Sequence, residues 1–130
     1  MKYAYPAIFS PEDNGWYSVS FPDIPGCYTN GSSLADSIAM AEDALALMLY
    51  EYEKDGTPVP SVSNPGSIEV KDGELISFVR ADTLEYQKRF NKKAVKKTLT
   101  IPEWLNEKAV SANINFSQVL QDALINVLRV

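Results

Sequence analysis

Residues 94–130 constrain this chain more than any other segment. They read as one short strand followed by two helices. The strand is Val95–Pro102. Val95, Leu99 and Ile101 fall on one side, and Lys96, Thr98 and Thr100 fall on the other. Lys97 interrupts the apolar side, so only the last part is cleanly two-faced. Pro102 closes the strand and suits the first position of a helix, where its missing N–H is no loss. The first helix runs from about Pro102 to Ala112, with Leu105, Ala109 and Ala112 at helical spacing, and Asn113 is a left-handed stop. Asn115 is the N-cap of the second helix, and Gln118, three positions on, completes a variant of the capping box. Phe116, Val119, Leu120, Ala123, Leu124, Val127 and Leu128 then follow the i, i+3, i+4, i+7 rule without a gap.

Such a unit cannot stand alone. Its 37 residues bury too little surface, and a lone strand leaves both edges unpaired. Pairing two copies through the strand and the second helix solves both problems. The expected dimer contacts are Leu99, Ile101, Val119, Leu120, Ala123, Leu124 and Val127. The two-stranded ribbon then presents Lys96, Thr98 and Thr100 from each chain, a width that fits the major groove of DNA. Lys93 and Lys97 add positive charge beside them. The free amides near Phe116 and Ser117, behind Asn115, suit a phosphate. The arrangement resembles the ribbon-helix-helix repressors of the Arc and MetJ type. That resemblance implies double-stranded operator DNA as a partner and a homodimer through this module, with a tetramer as the alternative assembly. The plainer reading is a helical dimerisation tail with solvated lysines.

Charge divides the chain. The whole carries a net −5. Residues 1–87 hold four basic and 14 acidic residues, and residues 88–130 hold eight basic and three acidic ones. Lys88, Arg89, Lys92, Lys93, Lys96 and Lys97 fall within ten residues that contain no acid. Such asymmetry points to a nucleic-acid segment joined to something else. The acidic part should lie away from DNA and suits a basic protein partner.

That acidic part reads as an α+β domain over residues 1–81, joined by a polar, basic linker at 82–93 to the module at 94–130. Tyr3–Phe9 is a first strand with Pro6 weakening its middle. Trp16–Phe21 is a second, with Tyr17, Val19 and Phe21 facing in. Cys27–Thr29 is a short third. Ser33 caps a helix that runs to about Lys54, with Leu34, Ile38, Ala41, Leu45, Met48 and Tyr52 as its buried stripe. Ser67–Val70 and Leu75–Val79 read as two further strands, with Asp72-Gly73 as a hairpin turn between them. Thr83–Phe90 forms a short helix within the linker. The sum is an antiparallel sheet packed on one long helix.

Several motifs here occur together: Phe21-Pro22-Asp23-Ile24-Pro25-Gly26-Cys27, Thr29 and Gly31, Ser33-Leu34-Ala35-Asp36-Ser37, Ala41-Glu42-Asp43-Ala44-Leu45, and Gly56 with Pro58. In combination they resemble the N-terminal signature of the HicB antitoxins. The resemblance implies a degraded RNase H-like domain that masks a small basic toxin, HicA, which cleaves mRNA with a catalytic histidine. It also implies an antitoxin that represses its own operon through the C-terminal module. An alanine is common in that family where Ser37 stands, and a glutamate where Ala35 stands. The alternative is a stand-alone ribbon-helix-helix regulator whose N-terminal domain senses a ligand or sets the oligomeric state.

Catalysis is not expected. The chain holds no histidine, which removes Ser-His-Asp, Cys-His and histidine-metal chemistry. An RNase H-like site needs converging carboxylates for two metal ions. The candidates Asp13, Asp23, Asp36, Glu42 and Asp43 are a turn residue, a loop residue, a cap residue and two solvated helix positions. No cofactor or metal is expected. Cys27 reads as core, and a single cysteine cannot form a disulfide within the chain. No run spans a membrane and the N-terminus lacks a signal-peptide pattern, so a cytoplasmic location is the expectation. The exposed sheet edge and its acidic side chains are where a toxin should bind, with no individual contact residue assigned.

Overall fold

The computed structural model describes all 130 residues, Met1 to Val130. The chain divides into two compact units, Met1–Lys93 and Ala94–Val130. The first contains β1 (Lys2–Pro11), β2 (Tyr17–Ser20), β3 (Tyr28–Gly31), α1 (Leu34–Asp55), β4 (Leu75–Asp82) and α2 (Thr83–Phe90). The second contains α3 (Glu103–Ser111) and α4 (Phe116–Leu128). Together they make an α+β chain with one four-stranded antiparallel sheet and four helices; the α+β class and the helices agree with the sequence reading, and the number of strands does not.

The sheet order is β3-β2-β1-β4. β1 is its spine. It pairs with β4 from Lys2↔Asp82 to Phe9↔Leu75, and with β2 from Ile8↔Ser20 to Pro11↔Tyr17. Pro6 lies outside the β1–β2 ladder, so a proline is tolerated inside a ten-residue strand. Alternation sends Tyr5, Ala7 and Phe9 of β1, Val19 of β2 and Val79 and Ala81 of β4 to one face. There they form one core with Ala41, Leu45, Ala46 and Leu49 of α1, and with Phe21, Ile24 and Cys27 from the β2–β3 loop.

α1 begins and ends as its sequence dictates. The Ser33 hydroxyl accepts from Asp36 N–H at 3.1 Å, and the Asp36 carboxylate accepts from Ser32 N–H at 2.9 Å. Gly56 closes the helix at φ 70°, a left-handed conformation that favours glycine. Gly31 brings β3 against the start of α1. A Cβ there would lie 2.3 Å from the Ser37 backbone nitrogen, so no side chain fits without displacing the helix. Ser37 itself is fully buried, and its hydroxyl donates to Leu34 O at 2.6 Å.

Four sequence expectations are corrected. Ser67–Val70 is not a strand. Pro65–Ser67 forms a 3-10 turn, and Ile68–Lys71 is irregular. Asp72-Gly73 does turn the chain, with Gly73 at φ 85°, but it leads β4 onto β1 rather than back onto a preceding strand. The physical reason is that β1 offers eight consecutive partners to β4. Leu34 and Ile38 are exposed rather than part of the α1 stripe: at its start the helix lies against β3 through Ser37, and it meets the apolar core only from Ala41 onward. Finally, α2 is no free connector. Tyr86 packs against Tyr50 of α1 at 5.6 Å between ring centroids, and Arg89 pairs with Asp43 at 3.4 Å.

Candidate nucleic-acid interface

The second unit is built by its caps. α3 starts after Pro102, one residue later than the sequence reading, and ends before Asn113, which takes φ 57°. Ile114 N–H then donates to Ala109 O at 3.0 Å, closing the turn between the helices. The Asn115 side chain accepts from Gln118 N–H at 3.1 Å, so Asn115 caps α4 as its chemistry requires. The reciprocal half of the capping box does not form. The Gln118 side chain turns along the helix and donates to Asp122 at 2.8 Å. A four-residue step on one helix face brings these side chains together more readily than a reach back to the cap.

The expected DNA-contacting residues all lie on the surface. Lys93, Lys96, Lys97, Thr98 and Thr100 are exposed on a stretch, residues 91–102, that holds no regular secondary structure in the single chain. A strand is defined by its ladder, and one copy supplies no ladder for Val95–Pro102; this differs from the strand expected from alternation. Phe116 and Ser117 are the first two residues of α4, directly after Asn115, where helix amides have no intrahelical acceptor. The expected dimer contacts are equally uncovered. Leu99 is 61% exposed, Val119 55% and Val127 75%. Ile101, Ala123 and Leu124 are exposed too, and Leu120 is half-buried. No residue of this unit is buried. Trp104 on α3 is likewise 66% exposed. Sequence periodicity passed over it because α3 has no continuous apolar stripe to place it on.

The family model described as HicB_like antitoxin of bacterial toxin-antitoxin system matches residues 5–124, through both units. The chain belongs to this HicB-like antitoxin family. It is 39% identical over 62 residues to Antitoxin HicB 2 of Photorhabdus laumondii, a match spanning 48% of this chain and 44% of that protein. The chain thus spans about half the length of the curated relatives it matches. Among solved structures it is similar to a chain of a toxin-antitoxin complex from Streptococcus pneumoniae, at 28% identity and a TM-score of 0.65, covering 97% of this chain and 99% of that one. It is also similar to a chain of the HicA3 and HicB3 toxin-antitoxin complex, at 30% identity and a TM-score of 0.50, covering 62% of this chain and 99% of that one.

In this HicB-like chain the N-terminal carboxylates are engaged separately. Asp23 accepts from the Ser63 N–H at 2.9 Å and from the Ser63 hydroxyl, pinning the β2–β3 loop to the segment after α1. Asp36 serves the α1 cap and Asp43 faces Arg89. No group of three His, Cys, Asp or Glu side chains converges to hold a metal ion. Cys27 is buried in the core, and burial pushes its thiol up to about 11, so it stays protonated and unreactive near neutrality. No helix is long and apolar enough to cross a membrane.

Proposed function

We propose that this chain is the antitoxin of a type II pair. Its N-terminal unit, a degraded RNase H-like domain, binds and masks a small basic HicA-like toxin that cleaves mRNA. Its C-terminal unit dimerises as a ribbon-helix-helix and represses the operon by binding operator DNA. One observation carries the reading: a chain matching an antitoxin family through both units leaves its whole second unit unburied, with a lysine pair and then alternating threonine and apolar side chains at its start. A second copy supplies the missing ladder and core, and the lysines and threonines are then held together for the groove.

The reading makes separable demands. Lys96→Ala lowers operator affinity and flattens its salt dependence, because a phosphate contact releases counterions. Thr98→Ala or Thr100→Ala relaxes sequence preference by about 1–3 kcal/mol per lost base contact. Gel-shift titrations at several salt concentrations measure both. Unchanged operator binding in all three variants overturns the ribbon assignment. For the antitoxin half, cells making the neighbouring small basic protein without this chain stop growing, and co-expression restores growth.

A further inference from the structure

The sheet has two faces, and α1 covers one. On the other, the register sets Tyr28 opposite Ser20, Ser20 opposite Ile8, and Ile8 opposite Ile76, one row across all four strands. The next rung adds Phe78 beside Pro6. Tyr28 is 73% exposed and Phe78 53%. The open face of an antiparallel sheet is ordinarily polar. Ser10, Ser18, Ser20 and Asn30 meet that rule here, and Tyr28, Ile8, Ile76 and Phe78 do not. Apolar side chains on a polar surround, here interrupted by Ser20, mark a contact surface.

The charge around the row selects its occupant. Residues 1–93 carry 14 acidic and eight basic side chains. At the end of the sheet where β4 enters, the Glu74 carboxylate accepts from the Ser10 hydroxyl and from Lys71 N–H at 2.9 Å, which holds it below the usual carboxylate range. Glu12 and Asp13 follow β1 at this end, and Glu69 and Asp72 precede β4, with Lys71 the one cation among them. Lys2 and Arg80 stand at the opposite end, toward Asp82. Two copies of so acidic a unit repel each other, whereas a basic protein is drawn to the Glu74 end. The competing apolar surface, Met40 and Leu47 on the outer side of α1, lies beside an Asp43 that Arg89 already neutralises.

We propose that the sheet face opposite α1, centred on Tyr28, Ile8, Ile76 and Phe78 with Glu74 at its acidic end, is the surface on which this chain seats its basic toxin. This rests on the antitoxin reading above. The occupant is a small basic protein that places an apolar patch on the aromatic row and cations at Glu74.

The test uses the full-length chain and, as probe, the cognate HicA-like toxin that the proposed function requires, its catalytic histidine replaced by alanine. Calorimetric titration of wild type establishes binding. The double variant Tyr28→Ser, Phe78→Ser then loses about 100-fold in affinity, as buried aromatic anchors do. Glu74→Gln loses less and becomes less sensitive to salt. Met40→Ser with Leu47→Ser binds as wild type. Circular dichroism checks folding, and Tyr28→Ser alone, at an exposed site on an edge strand, keeps the test decisive if the double variant unfolds. Absence of wild-type binding refutes the antitoxin reading itself. Wild-type binding undiminished in the Tyr28 and Phe78 variants, or lost instead in the Met40 and Leu47 variant, overturns this surface and leaves the antitoxin reading standing. A fall in mass of the unliganded chain on mutating the row also overturns it, because a second copy is then the occupant.

Discussion

The two units treat apolar residues in opposite ways. The first encloses 13 hydrophobic residues in one cluster, among them Tyr5, Phe9, Ile24, Leu45 and Leu49, each at most 1% exposed. The second buries none, although α4 has the most regular apolar spacing in the chain. Periodicity therefore records which side of a helix will be covered and says nothing of whether the same chain covers it. The first unit finishes its core within one chain. The second leaves its apolar residues open, and in the proposed dimer a second copy covers them.

That contrast can be broken or sharpened by mutation. The largest effect is expected for Leu124→Asp in α4, which removes the dimer and with it operator binding. Sedimentation velocity should show monomer at every concentration, with the unfolding transition of the first unit unchanged. A dimeric Leu124→Asp variant would break the comparison. Leu45→Ala, at the centre of the first core, should destabilise that unit by about 2–5 kcal/mol in urea, independent of protein concentration. Gly31→Ala forces a Cβ into the Ser37 backbone and should cost about 1–3 kcal/mol in the same transition. Asn115→Ala removes the α4 cap and should cost about 1 kcal/mol, felt only in the concentration-dependent transition.

Cys27 gives the smallest and most specific check. Its folded thiol lies near 11, above its ordinary value of 9.0, so the unfolded chain loses its proton first. The first unit should accordingly lose stability as pH rises from about 9 to 11 and be unaffected by this group below that window. In the same vein, alkylation by iodoacetamide at pH 8 should be slow in the native protein and fast in denaturant, as read by mass spectrometry.

Much of this fold was legible because its signals are local. Ser33 and Asp36, Asn113, and Asn115 each satisfy or end a helix through their own short side chains, and the structure places each where the sequence asks. What failed was partner choice over distance. Asp72-Gly73 announces a turn truthfully, yet a turn does not name the strand it serves, and β1 outcompeted the segment before it. The Leu34 and Ile38 positions failed for a related reason: a helical stripe predicts direction, whereas burial also needs something opposite. For the candidate sites, the sequence offered the cationic and threonine side chains of residues 93–100, which are exposed like the rest of their unit. It could not locate the aromatic row on the sheet, because Tyr28 and Phe78 stand 50 residues apart and meet the same face only through the β3-β2-β1-β4 order.

The irregular stretch at 91–102 has a consequence for how the molecule comes apart. It offers Lys92, Lys93, Lys96 and Lys97 to solvent without a helix or ladder to protect them. A trypsin-like protease cutting there would spare every regular element on both sides. What remained upstream would keep its core and its aromatic side chains while losing the segment proposed to bind the operator, so under the proposed function a single scission would uncouple neutralisation from repression.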